Sequence, residues 1–512
     1  MEDSKFGKES QNEENDKIAK NDKSGMNGKS CNNGNNGNNG ENGNSYSDDD
    51  LDEEIFDRLP MMDQELPPIV RELVSNAPEK FRMPTFIACM APLGCLATRL
   101  RFNYPYDQDP TAPLLQVIIC GEQSGGKSFA RTVESVIMAR QKERDNEQRR
   151  LEQMYDELCR VANGHKKKPT PPKTVVICCP VNISIAKLMH RADAPVRFFG
   201  TPLTLWTFSE ELATAVECSR RTASELKTIM RTAYDLGSEY GVDRLGRSSY
   251  SATVDILYNT MFCTTPSVLN DYMDNDAIEG GNVSRIIVCD LNNQIGDDAP
   301  VFRKITPAQK ELIDKFVKRL MDDTYDIDGS IRPEKFIDMS WLDNDVRRWC
   351  NAYKKESTKR ASNALDTFYK RSSKNAQRIA ALCYYLYCLE DEMQGDGNGK
   401  GSSNQRARSL ARRIYYFMAE QILNTMMEKW GTRYEMLKKS KKTEEGAPKF
   451  SLYDTLPDTF TRQQINENIK LLGLSSHNWD FLSKWKRFGI VEKIGHNTFR
   501  KIGSGVFEKP QP

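Results

Sequence analysis

The sequence is poor in histidine, with four in 512 residues, and it contains no Cys-x-x-Cys pair. None of the histidines stands at ligand spacing from a cysteine, which excludes a zinc finger or ribbon built on clustered soft ligands. Long apolar runs are also missing. None approaches the ~20 residues that a membrane-spanning helix needs, and the opening residues lack the basic, apolar and small-residue order of a secretory signal. The expectation is a soluble cytoplasmic chain with no membrane partner. The thirteen cysteines do not suggest a disulfide framework. Most stand within apolar runs (Cys89, Cys95, Cys120, Cys263, Cys289, Cys383, Cys388), where a free thiol packs as a small hydrophobe. The vicinal pair Cys178-Cys179 ends an apolar run in the same way. Reduced thiols fit a reducing compartment.

Net charge is only +1, but it is unevenly spread. Residues 1–60 hold fifteen Asp/Glu against seven Lys/Arg, a net of −8, so the remainder carries +9. That leading stretch is rich in Asn, Gly, Asp, Glu, Ser and Lys and has too little apolar surface to offset its ordering entropy. It is expected to be a disordered acidic and polar tail. A basic body suits nucleic acid as a partner, and the length allows two to four domains.

What is present centres on Leu114-Leu-Gln-Val-Ile-Ile-Cys-Gly121-Glu122-Gln123-Ser124-Gly125-Gly126-Lys127-Ser128. An apolar strand ends at a glycine, a glycine-rich loop closes on Gly-Lys-Ser, and helical character resumes at Phe129. This is the P-loop order of strand, loop and helix. The glycines let backbone N–H groups converge on phosphate oxygens, and the dipole of the following helix adds positive potential there. Lys127 reaches the outer phosphates of ATP, and the Ser128 hydroxyl can hold Mg²⁺.

Hydrolysis needs more than this loop. The apolar run Pro202–Ser209 reads as a strand that ends in Glu210-Glu211, where such an enzyme needs one acid on Mg²⁺ and another on water. Glu210 is assigned to the metal and Glu211 to the water. An acidic pair that starts a helix would also stabilise its N-terminus, and Glu stands at the first place where Asp is usual. The run Asn259–Cys263 ends in Thr264-Thr265, two hydroxyls able to sense a terminal phosphate or simply to close a turn. Gly280-Gly-Asn-Val-Ser-Arg285 precedes another apolar run. Arg285 is a candidate arginine finger for a neighbouring subunit, or a surface arginine after a turn. Strands alternating with helices after a P-loop imply an α/β fold with a mainly parallel sheet.

Taken in order, these features resemble the helicase-like P-loop NTPases of bacterial mobile elements and prophages (domain of unknown function 3987). The resemblance runs over residues 60–440. It is carried by Leu66-Pro67, Gly121–Ser128, the long charged insertion at 138–161, Glu210-Glu211-Leu212, Thr264-Thr265-Pro266, Gly281 to Arg285, and Gln377-Arg378-Ile379-Ala380. It implies a RecA-like ATPase core related to replicative helicases, a homo-oligomeric ring or filament, and primases or other replication proteins as partners.

Four regions are expected: the tail to residue 60, a P-loop core at 61–300, an α-helical region at 301–445, and a compact unit at 450–505. In the last, a capped helix from Thr459, a second helix carrying Trp479, Leu482, Trp485 and Phe488, and a hairpin around Gly495-His-Asn read as a winged helix. Lys484, Lys486, Arg487, Lys493, Arg500 and Lys501 could face DNA phosphates. The charged stretch at 138–161, with Arg140, Lys142, Arg144, Arg149 and Arg150, reads as a solvated helical hairpin or a second nucleic-acid contact. The function expected is an ATP-driven motor or switch on DNA. The alternative is a DNA-binding regulator or loader whose P-loop binds ATP with little turnover. A small-molecule kinase is disfavoured, because nothing reads as a lid for an acceptor substrate.

Overall fold

Apolar, β-prone runs separated by helices can be satisfied by strands buried on both faces of a parallel sheet. The computed structural model describes residues 65–162, 169–217, 220–243, 251–294, 296–394, 402–438, 450–471, 478–487 and 490–502. The expected tail at 1–60 lies outside them. The described chain opens with α1 (Pro68–Val74) and α2 (Glu79–Leu96), then β1 (Leu100–Arg101), β2 (Gln116–Cys120), α3 (Phe129–Ile137) and α4 (Ala139–Val161). Next come α5 (Ile185–Phe199), β3 (Leu205–Ser209), α6 (Leu212–Glu217), α7 (Arg220–Thr232), β4 (Glu239–Asp243), β5 (Ser251–Asp255) and β6 (Tyr258–Thr264). After α8 (Pro266–Tyr272) and α9 (Asn275–Glu279), β7 (Ile287–Asp290) completes the sheet. Its order is β3-β6-β2-β7, parallel throughout. The class is therefore mixed α/β, as expected. Every residue of β2 and β6 is buried, which is why these strands are apolar without alternation.

Several local expectations change. The apolar run Thr174–Cys179 makes one parallel bridge, Cys178 to Trp206, beyond β3, and not a full strand. Its outer edge meets α4 instead of another strand. The buried Asp145 carboxylate accepts from the Ile177 N–H at 3.1 Å and the Cys178 N–H at 2.6 Å. The 138–161 stretch is a single helix after a break at Met138, and part of its basic face is used in packing. Arg144 lies 3.7 Å from the Tyr325 ring centre, Arg149 donates to the Cys178 carbonyl, and Lys142 pairs with Glu134 at 2.6 Å. Glu239–Asp243 forms β4, which pairs antiparallel with β5. Glu-Tyr-Gly-Val-Asp carries little β signal, and it is the pairing with β5 that makes it a strand.

Helices dominate the chain after β7: α10 (Pro307–Asp322), then the two-residue β8 (Lys335–Phe336) beside β1, α11 (Asp343–Arg360), α12 (Asn363–Gln394) and α13 (Ser402–Met426). α11 and α12 are separated at Ala361, whose φ of 49° is left-handed. The Glu435 carboxylate accepts from the Ala364 N–H at 2.7 Å and so caps the new start. One apolar core runs from Leu66 to Tyr434, and a separate one spans Leu452 to Phe499. The second belongs to α14 (Phe450–Thr455), β9 (Thr459–Thr461), α15 (Arg462–Leu471), α16 (Asn478–Arg487), β10 (Val491–Lys493) and β11 (Thr498–Lys501), with the antiparallel order β10-β11-β9. The helix expected from Thr459 starts three residues later because Thr459–Thr461 pairs with β11. Thr461 and Gln464 then cap each other, the Thr461 N–H donating to Oε1 at 2.8 Å. Among the described residues, no helix is long and apolar enough to cross a membrane.

α12 crosses the core with a run of polar residues. Ser372, Ser373, Lys374, Asn375, Gln377 and Arg378 are all buried. The Arg378 guanidinium, with no exposed surface, donates to the Leu114 carbonyl at 3.1 Å, the Tyr234 carbonyl at 2.6 Å and Thr111 Oγ1 at 3.2 Å. Removing one side of such a network leaves its partners buried and unpaired, at a cost of about 3–5 kcal/mol. Arg378→Ala should lower unfolding stability by that amount in chemical denaturation, whereas Lys127→Ala should leave it within about 0.5 kcal/mol.

Candidate functional site

β2 delivers Gly121 to the C-terminal edge of the sheet. The Gly121 N–H donates to the Thr264 carbonyl at 3.1 Å, which ties the loop to the end of β6. Ser124 (φ 62°) and Gly126 (φ 82°) are both left-handed. Alternating hand at nearby positions turns backbone N–H groups inward and forms an anion-binding concavity. At Gly126 a Cβ would lie 2.3 Å from Pro300 Cγ, and at Gly125 it would lie 2.4 Å from Asn293 Oδ1. Close packing thus constrains both glycines, and at Gly126 the left-handed backbone does so as well.

The donors suit a nucleoside triphosphate. Lys127 Nζ donates to the Gly121 and Glu122 carbonyls at 2.8 and 2.6 Å, so the ammonium lies within the loop that the phosphates would fill. Glu122 and Gln123 are exposed on its rim. Ser128 is exposed and caps nothing with its side chain, leaving the hydroxyl free for a cation. A serine hydroxyl with one or two carboxylates and substrate phosphates is the donor set that Mg²⁺ accepts.

Glu210 and Glu211 follow β3 at the same edge, both exposed. Glu210 Oε1 pairs with Arg131 of α3 at 3.1 Å. Sequence reasoning missed that arginine, because only the fold brings α3 beside β3. Burial pushes the Cys263 thiol up to about 12, while Lys127 draws it down and Glu210 raises it further. The thiol of β6 therefore feels both the lysine of the glycine-rich loop and the acid. Thr264 is opposite Cys120 in register, and its hydroxyl donates to the Thr265 carbonyl at 3.3 Å. Thr265 is half-buried at the start of α8 and makes no side-chain cap.

The fold brings together Gly121–Ser128, Glu210, Glu211, Thr264 and Thr265, and it separates Arg285 from them. Arg285 precedes β7, so it lies at the N-terminal edge of the sheet, about 17 Å of strand away at 3.3 Å per residue. There Nη1 donates to the Gly281 carbonyl at 2.8 Å, and the guanidinium is 5.6 Å from the Tyr234 ring centre. Nε is buried without a hydrogen-bond partner. Burial lowers the Arg285 pKa, and Arg371 nearby lowers it further. This arginine does not serve the loop of its own chain.

Asn293 and Pro300, which follow β7, were also not legible in advance. The Asn293 amide donates to the Gly125 carbonyl at 3.3 Å. No local motif marks either residue, since both act through contact with a loop about 170 residues away.

Two predictions follow from this packing. Gly126→Ala forces a Cβ into a left-handed position, costing about 1–2 kcal/mol, and drives it into Pro300. Its nucleotide affinity, measured by calorimetry, should fall at least tenfold (roughly 1.4 kcal/mol). Cys120 and Cys263, whose thiols burial pushes up to about 11 and about 12, should resist maleimide at pH 8 until the chain is unfolded, as mass spectrometry would report. Compared with known proteins, the chain matches no protein-family model, and no curated protein matches it.

Proposed function

We propose that the chain is a P-loop ATPase with a RecA-like core that acts on DNA as an oligomeric, helicase-like motor or switch in replication or mobilisation of a genetic element. The supporting observation is the sheet order. The acids end β3, two strands from the loop-bearing β2, with β6 between them. At ~4.8 Å per strand, that separation of about 10 Å leaves room for a water between a carboxylate and a terminal phosphate. A hydrolase needs that arrangement, with the water held in line for attack.

In this reading the loop amides and Lys127 bind ATP, and Ser128 with Glu210 would hold Mg²⁺. A cation held there would supply positive charge to offset that of the phosphates. Glu211, whose carboxylate is exposed to the same edge, orients and deprotonates the water. Thr264 and Thr265 lie where they can respond to loss of the terminal phosphate. Arg285, at the far edge, acts on the nucleotide of a neighbouring copy, which requires a ring or filament.

The C-terminal unit supports DNA as the partner. Helix, strand, two helices and a hairpin is the order of a winged helix. Lys493 and Arg500 are exposed on the hairpin, although Arg500 pairs with Glu492 at 3.4 Å. Lys501 donates to the Leu456 carbonyl at 2.6 Å and has a structural role instead. The side chains of Trp479, Lys484, Arg487 and Phe488 lie outside the described residues. One observation favours the second reading, a regulator or loader with slow turnover: Arg131 already occupies the Glu210 carboxylate meant for the metal.

The deciding measurement is ATPase rate with and without single-stranded DNA. Turnover should rise with DNA, fall at least 100-fold in Lys127→Ala and Glu211→Gln, a loss of about 2.7 kcal/mol in barrier terms, and fall comparably in Arg285→Ala. Tight ATP binding with no turnover on any DNA would instead support the regulator. Mixing inactive Lys127→Ala and Arg285→Ala chains should restore partial activity, because one of the mixed interfaces holds both intact residues. No recovery in a verified mixed oligomer would remove the in-trans role of Arg285.

A further inference from the structure

β7 ends in Asp290, which is opposite Cys120 in register. Its carboxylate therefore belongs to the lip of the phosphate loop, one residue before Gly121. The following residues wrap the same loop: the Leu291 N–H donates to the Cys120 carbonyl at 2.8 Å, and Asn293 holds Gly125. A fixed carboxylate beside a site for several phosphate charges is electrostatically adverse unless a cation attends it.

That cation comes from the helical region. After α13 the helix widens into a π turn, Met427–Gly431, and Lys429 of this turn pairs with Asp290 Oδ2. A π turn is a weaker packing of the backbone than an α turn, is rare, and recurs at functional sites. Here it is anchored by Trp430, which is buried on one side of the turn, while Lys429 is directed at the sheet edge. Both Lys429 and Lys127 draw down the Cys120 thiol, which burial and then Asp290 push up to about 11. Two ammonium groups, one from the loop and one 300 residues later, thus converge on the end of the same strand. The pair remains partly solvated, with about a fifth of the Lys429 side chain and a quarter of the Asp290 side chain exposed.

We propose that Lys429 is a second phosphate-binding cation of the Gly121–Ser128 site, exchanging its Asp290 partner for the phosphates when a nucleoside triphosphate binds. This rests on reading that loop as the triphosphate site. Exchange between the two partners couples the helical region to the state of the nucleotide. An ammonium can make the exchange because it is a compact charge on a flexible stem, with no fixed bidentate geometry to break. ATP, with one more phosphate than ADP, competes for it better.

The test is equilibrium binding of ATP and of ADP, each with Mg²⁺, to full-length parent, Lys429→Met, Lys429→Arg and Asp290→Asn, with melting midpoints recorded alongside. Lys429→Met should weaken ATP at least tenfold and ADP less than threefold, and Lys429→Arg should recover most of the loss. Asp290→Asn frees the lysine and removes the repelling charge, so it should tighten ATP about threefold or more. An ion pair that only joins two elements predicts otherwise: both neutral variants would lose stability, and ATP and ADP would weaken alike. That result overturns the proposal. A parent that binds neither nucleotide, or a Lys127→Ala chain that binds as the parent does, refutes the triphosphate site itself and the latch with it. If the latch alone fails, the parent still binds nucleotide and binding still depends on Lys127; if the site fails, it does not, so the two are distinguishable.

Discussion

A guanidinium buried without exposed surface is tolerated only when its donors are met by acceptors, because desolvating an unpaired charge costs several kcal/mol. Arg378 is in that position, and its acceptors come from two separate stretches: Thr111 and Leu114 ahead of β2, and Tyr234 with Asp235 after α7. The strand that carries the phosphate loop is thereby registered to α12. Asp235 also pairs with Lys374 and, at 3.6 Å, with Arg371, and the Tyr234 ring is approached by the cations of Arg285, Arg371, Lys374 and Arg378. The entry of β2, the environment of Arg285 and the helical region form one polar network at the N-terminal edge.

The polarity of the sheet then divides the chemistry. All four strands run the same way, so residues that follow strands gather at one edge and residues that precede them at the other. Gly121–Ser128, Glu210 and Glu211 follow strands, and Thr264 and Asp290 end them. Arg285 precedes one. A single chain built this way gathers the glycine-rich loop, the acids and the threonines at one edge, and it cannot deliver Arg285 to that edge. If Arg285 acts in catalysis, the assembly has to supply the missing edge. The helical region touches both edges, through Arg378 at one and Lys429 at the other, and so is placed to respond to events at each.

Much of this was legible from local chemistry. A glycine-rich loop between an apolar strand and a helix was recognisable as such, and at Gly126 both hand and contact exclude a side chain. The acids after Pro202–Ser209 and the threonines after Asn259–Cys263 were recognisable because a buried strand must end where polar residues begin. Less visible were features created by pairing at a distance. Glu239–Asp243 is a strand only because β5 lies beside it, and Thr459–Thr461 only because β11 does. The basic residues of α4 looked like a solvated face, yet Arg144, Arg149 and Lys142 are engaged by Tyr325, Cys178 and Glu134.

The amino-acid sequence by itself determined the α/β class, the position and conformation of the loop, and the order of strands and helices along the chain, since each follows from short-range periodicity and from the steric demands of glycine. Only the tertiary structure decided which strands are neighbours, hence that β6 separates the loop from the acids. It alone brought Arg131 to Glu210, Asn293 and Pro300 to the loop, and Lys429 to Asp290, and it alone set Arg285 at the opposite edge. These are contacts between residues tens to hundreds of positions apart. Such contacts depend on how whole elements pack and leave no periodic trace in the residues that make them.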